Sequence, residues 1–164
     1  MNENKMNLEE FKLPLYNEIP DVGLYLDQVT KYISKYVEVL ECITVTPSMI
    51  SNYVKKKIIT NPVKKQYRRE QIAELFFIVL AKSVISLEDA SAMLHIYRSK
   101  YDPEKAYGFF AESIMNSVLR TEQSEVEESS CAEQVFEKRL LKDVATAIGY
   151  KVHLEKRFKK LRKN

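Results

Sequence analysis

Apolar residues recur at spacings of three and four through most of the chain, so the pattern predicts helices rather than strands. From Val22, the positions Leu26, Val29, Ile33, Tyr36, Val37 and Leu40 fall on one face of a helix, with Asp21 as its N-cap. Cys42 to Val45 then makes a short connection. Thr46-Pro47 is the strongest helix-start signal: the hydroxyl can accept an orphan amide, and a proline at the first helical position gives up an N–H that had no partner. The helix that follows, Ser48 to about Lys56, places Met49, Ile50, Tyr53 and Val54 on one face and leaves Ser48, Ser51, Asn52, Lys55 and Lys56 on the rest. Ile58 to Thr60 are apolar or β-branched and Asn61-Pro62 favours a turn, which predicts a small hairpin or wing with Lys64 and Lys65 at its tip.

Further on, Arg68 to Ser83 reads as a helix burying Ile72, Leu75, Phe76, Val79 and Leu80. Ser86 caps another, with Leu87, Ala90, Met93, Leu94 and Tyr97 turned inward, and Asp102-Pro103 opens a third with Ala106, Phe109, Phe110, Ile114 and Val118 on its apolar side. Thr121 to Ser130 is acidic and serine-containing and reads as a loop or frayed segment. In the last stretch Leu140, Ala147, Leu154 and Leu161 are seven apart, with Val144 and Phe158 between them, while Glu137 and Lys151 interrupt the second row. This partial heptad row is a candidate dimer face, and packing on the chain's own Phe109, Phe110 and Ile114 is the equal alternative. One long helix, or two meeting near Gly149, fit the pattern alike. Three glycines and five prolines in 164 residues are too few for a turn-rich sandwich or barrel. The expected class is all-α with at most one small hairpin.

Charge adds what periodicity does not. The net charge is only +3, but it is segregated. Residues 1–44 carry net −4 and residues 71–150 net −5, whereas residues 45–70 carry +6 and residues 151–164 another +6. Charge runs are usually solvated faces. The 45–70 run stands out because its lysines flank a short helix with a polar outer side.

Other chemistries are missing. Gly23, Gly108 and Gly149 lie far apart, so no phosphate-cradling loop can be built locally. His95 and His153 have no metal-spaced partner, and Cys42 and Cys131 read as small buried thiols in a reducing, cytoplasmic protein. No carboxylate pair is marked out for acid–base work, no apolar run could span a membrane, and no signal-peptide core opens the chain. The expectation is a protein that is not an enzyme and uses no cofactor or metal.

Helix, connection, short polar-faced helix, basic wing, long helix is the order of a winged helix-turn-helix. Ser48, Ser51, Asn52 and Lys55 would reach base edges or phosphates, Asn52 being able to pair with adenine through two hydrogen bonds. Lys64, Lys65, Arg68 and Arg69 would add phosphate contacts, and the helix N-terminus at Thr46 can accept a phosphate itself. The run from Thr46 to Ile59, followed by Pro62, Tyr67-Arg68 and Glu70 to Ile72, resembles the second helix and wing of MerR-type regulators, and Ser86 to Leu94 resembles the helix that follows. The whole chain, including Leu13 to Tyr16 and Pro20 to Tyr25, more closely resembles bacterial domain-of-unknown-function family 1836, regarded as MerR-like and regulatory. The resemblance covers about residues 13–120 and is weak in the tail.

The resemblance implies groove-facing roles for Ser48, Met49, Ser51 and Asn52, a family tyrosine at Tyr53, and wing roles for Lys64, Lys65, Tyr67 and Arg68. Ser48 and Ser51 depart from it, standing where MerR-type proteins often carry arginine. Lys57 stands at the usual helix-ending glycine and must make that turn with a side chain. The expected DNA-binding set is thus Thr46, Ser48, Met49, Ser51, Asn52, Tyr53, Lys55, Lys56, Lys64, Lys65, Tyr67, Arg68 and Arg69. The expected organisation is an arm at 1–12, a MerR-like winged helix-turn-helix domain at 13–98, and a C-terminal helical region at 99–164 with a candidate dimerisation helix and a basic tail.

The function expected is sequence-specific binding of double-stranded DNA by a homodimer in transcriptional control. Two rivals remain. One is a helical protein-interaction module without DNA binding. The other is a regulator that responds to a small-molecule effector held among the C-terminal helices, around Phe109, Phe110 and Phe136.

Overall fold

The computed structural model describes residues 8–128 and 133–162, with side chains outside 9 and 122–137. Among the described residues there are six α-helices, of which five are arranged about the almost wholly apolar sixth, and a two-stranded antiparallel sheet closes one edge. In chain order they are β1 (Leu24–Tyr25), α1 (Leu26–Val37), α2 (Pro47–Lys55), β2 (Gln66–Tyr67), α3 (Arg69–Ala81), α4 (Leu87–Lys100), α5 (Pro103–Glu128) and α6 (Glu133–Leu161). The central helix is α3, where Ile72, Leu75, Phe76, Ile78 and Val79 are fully buried. A helix apolar around its whole circumference belongs in the middle of a bundle. The Phe76 ring meets Tyr32 and Tyr36 of α1 edge-on and Tyr107 of α5 at a tilt, with centroids 6.1, 5.8 and 6.2 Å away.

Three predicted caps are present. Thr46 Oγ1 accepts from the Met49 amide (3.2 Å), Ser86 Oγ from that of Asp89 (3.0 Å), and Asp102 Oδ1 from that of Glu104 (3.0 Å). Asp21 is different: α1 begins at Leu26, not at Val22. Gly23, at φ +86°, turns the chain out of the right-handed region, and Leu24-Tyr25 pair with Tyr67-Gln66 as a strand. A Cβ on Gly23 would lie 3.0 Å from the Gln66 side chain. Asp21 instead accepts the Arg69 amide at 3.3 Å, so it caps α3 from 48 residues away. Gln28 closes the start of α1 by accepting the Tyr25 amide at 2.9 Å.

Two more expectations change. The acidic run from Thr121 continues α5 as helix to Glu128, because it contains neither glycine nor proline and Glu is a good helix former; Ser129 and Ser130 lie outside the described residues. The last stretch is one helix that passes Gly149 without a break, and a Cβ there would meet nothing within 4 Å.

The core extends beyond residue 98 and before residue 13. Tyr107 and Ala111 of α5 are buried, as is Phe11, and the Tyr107 hydroxyl donates to the Pro14 carbonyl at 2.9 Å.

The row on α6 splits. Phe158 is buried against the connection between α3 and α4, Leu154 lies half-buried beside it, and Arg162 pairs with Asp89. Leu140, Val144, Ala147 and Leu161 remain exposed. So the row is not one dimer face, and its buried end seats on Ser83 to Asp89 rather than on Phe109, Phe110 and Ile114. Cys42 is exposed, not buried, and Cys131 lies outside the described residues. No helix among the described residues is long and apolar enough to cross a membrane.

Candidate nucleic-acid interface

The polar side of α2 faces solvent. Thr46, Ser48, Ser51, Asn52, Lys55 and Lys56 are exposed, while Ile50 and Tyr53 anchor the opposite side in the core and Met49 lies between. The helix ends in a Schellman turn: the Lys57 amide donates to Val54 O (2.9 Å) and the Ile58 amide to Tyr53 O (3.0 Å). Lys57 makes the left-handed residue of this turn at φ 59°, where glycine is the usual occupant. The conformation aims an exposed lysine outward while Ile58 and Ile59 turn into the core.

Residues 58–60 form no strand, and the chain reverses at Lys64-Lys65 rather than at Asn61-Pro62. Both lysines are left-handed, at φ 51° and 64°, and the Gln66 amide donates to Val63 O at 2.9 Å. This is a two-residue hairpin turn of the kind that favours Asn-Gly, built here from two exposed lysines. The strand leaving it pairs with β1.

Partly buried polar contacts hold this basic segment from below. Arg98 forks onto Glu74 through Nε (2.5 Å) and Nη2 (2.7 Å), and Nη2 also donates to Ile58 O at 2.9 Å. The Glu74 hydrogen bonds raise the Arg98 pKa above its ordinary value. Gln71, itself buried, accepts the Arg68 amide (2.9 Å) and donates to the Thr60 carbonyl (2.8 Å). A loop tied down in this way presents its charges with little ordering left to do on binding.

Four residues of the expected set make contacts within the fold itself. Tyr53 and Tyr67 are 3% and 4% exposed, and burial pushes the pKa of both phenols up. Tyr53 Oη has no hydrogen-bond partner among the described residues. Arg68 Nη1 donates to Asp21 O at 2.8 Å. Arg69 Nε donates to Ile19 O at 2.8 Å, and its guanidinium lies over the Tyr16 ring with a centroid distance of 5.8 Å. Aromatic and guanidinium groups bury favourably where the chain's own carbonyls and rings receive them, and the partners lie in the segment before α1, beyond the reach of local pattern.

Two lysines join the surface from outside that set. Lys57 was marked in the sequence only as a turn residue. Lys82, at the end of α3, brings Nζ to 3.7 Å from Met49 Sδ, a contact spanning 33 residues that no local signal announces. The ion pairs seen among the described residues are Arg98–Glu74 and Arg162–Asp89, so Lys55, Lys56, Lys57, Lys64 and Lys65 have no carboxylate partner there. Nor does any group of His, Cys, Asp and Glu among the described residues suit a metal ion.

The family described as Domain of unknown function (DUF1836) matches residues 14–110, and the chain belongs to it. That span runs from the buried Pro14 through β1 to β2, takes in α3 and α4, and stops within α5. No curated protein and no solved structure matches the chain.

Proposed function

We propose that this protein is a transcriptional regulator that binds duplex DNA in a sequence-dependent manner through a MerR-like winged helix-turn-helix. In this reading α2 enters the major groove, with Ser48, Ser51, Asn52 and Lys55 at the base edges. The wing turn at Lys64-Lys65 and the helix-ending Lys57 take phosphates on either side, and these contacts supply salt-dependent affinity. The observation that carries the reading is the set of five exposed lysines without carboxylate partners among the described residues, three of them held in left-handed backbone. Strained backbone clusters at binding sites, where the surrounding fold enforces it.

The partner is double-stranded DNA, and the site of action is the cytoplasm. The active form is a homodimer, because two half-sites are commonly read by two copies. The free part of α6 is the face for it: Leu140, Val144 and Ile148 are 55, 51 and 58% exposed and stand four residues apart.

Selection of bound fragments from a random DNA pool by the intact protein tests the reading. The expected product is a motif with two-fold symmetry, and Asn52→Ala should relax one position in each half by about 1–3 kcal/mol of discrimination. Absence of enrichment, or binding indifferent to salt, refutes it in favour of a protein-interaction role.

A further inference from the structure

Between α3, α4 and the first turns of α5 lies a cavity of about 380 Å³, within the size range of small-molecule sites. None of the residues assigned above to DNA lines it. Its walls are aromatic: Phe77 and Phe110 meet edge to face with centroids 5.1 Å apart, and the Tyr97 and Tyr101 rings are 5.5 Å apart. Phe109 stands at the rim and is 68% exposed. A bound apolar molecule would remove that ring from water, recovering stabilisation the free protein forgoes.

The charges select the ligand. Arg98 lines the cavity, but its charge is matched by the bidentate pair with Glu74. Glu70, exposed in the first turn of α3, is the remaining ionic side chain of the wall, and it takes part in no ion pair among the described residues. Aromatic faces are themselves negative and attract cations. We propose that this cavity binds a flat aromatic amine carrying one positive charge, its ring between the aromatic walls and its ammonium toward Glu70. The proposal does not depend on DNA binding.

The chain contains no tryptophan, so the fluorescence of an indole probe reports its own binding. Tryptamine and indole-3-acetate share a ring and differ in the sign of their charge. Titrating each with the intact protein should show saturable binding of tryptamine, about tenfold tighter than that of indole-3-acetate. Glu70→Gln should weaken tryptamine by about threefold to fivefold and leave neutral indole unchanged. Phe109→Ser, at an exposed position that the fold does not need, should weaken tryptamine and indole alike. Equal affinity for the two charged probes, an undiminished preference in Glu70→Gln, or no saturable signal from tryptamine overturns the proposal.

Discussion

Replacing Lys64-Lys65 with Asn-Gly separates what this turn does for the fold from what it does for a ligand. Both lysines hold positive φ, 51° and 64°, and both side chains are exposed, so their replacement removes no packing. An L-residue in left-handed backbone gives up roughly 1–2 kcal/mol relative to the right-handed form. Asparagine tolerates the conformation and glycine adopts it without strain. The new glycine also loosens the unfolded chain, which returns about 0.4–1 kcal/mol of the gain. The net expectation is a protein about 1 kcal/mol more stable, with Tm raised by about 2–4 °C for a chain of this length. If the ammonium groups meet phosphates, the same variant binds DNA more weakly, and its slope of log K against log salt falls by about 1.8 per protomer, or about 3.6 for the homodimer. Lys64→Gln with Lys65→Gln is the comparison: it removes the charges but keeps residues that dislike the turn, so DNA binding should fall equally while Tm does not rise. Thermal melts and DNA titrations at several salt concentrations read both effects. A Tm that stays level or drops in the Asn-Gly variant refutes the strain argument. An unchanged salt slope refutes the phosphate contact.

Four further outcomes follow from the same geometry. Lys57→Gly relieves the left-handed residue of the Schellman turn and should stabilise the fold by about 1 kcal/mol, read as a higher urea midpoint. Tyr53→Phe removes a buried hydroxyl that has no partner among the described residues, so it should keep or raise Tm and leave DNA affinity unchanged, whereas a groove contact would make it lose affinity. Arg98→Met leaves Glu74 and the Ile58 carbonyl without their donor and should cost about 3 kcal/mol; the double variant with Glu74→Met should regain much of it in thermal melts. Burial raises the phenol pKa of Tyr16, Tyr53 and Tyr67 above 10.0, so above that pH the unfolded chain loses these protons first and binds fewer than the native state. Stability conferred by these groups is complete below pH 10 and is lost as pH rises, which urea midpoints measured from pH 9 to about 11 should show as a steady decline.

What the sequence determined by itself was whatever depends on residues within one or two turns of each other. The starts at Thr46, Ser86 and Asp102 were legible because a cap is a hydrogen bond between neighbours three residues apart or fewer, whereas the turn at Lys57 was legible only through the family resemblance, which places a helix-ending glycine there. The apolar face of α1, with Val29, Ile33 and Val37 buried, followed from spacing, since period alone tells which side an amphipathic helix buries. Tertiary structure decided the rest. Asp21 reads as the cap of the helix beside it, yet it caps α3, because strand pairing with Gln66-Tyr67 draws residues 24–25 out of helix. Arg69 and Tyr67 read as surface groups beside a basic run, and only the packed chain supplies the carbonyls and apolar neighbours that claim them. The division of the α6 row, with Phe158 inside and Leu140 outside, likewise turns on where the α3–α4 connection happens to lie. Periodicity encodes which face of an element is apolar; it carries no information about which distant surface will cover it.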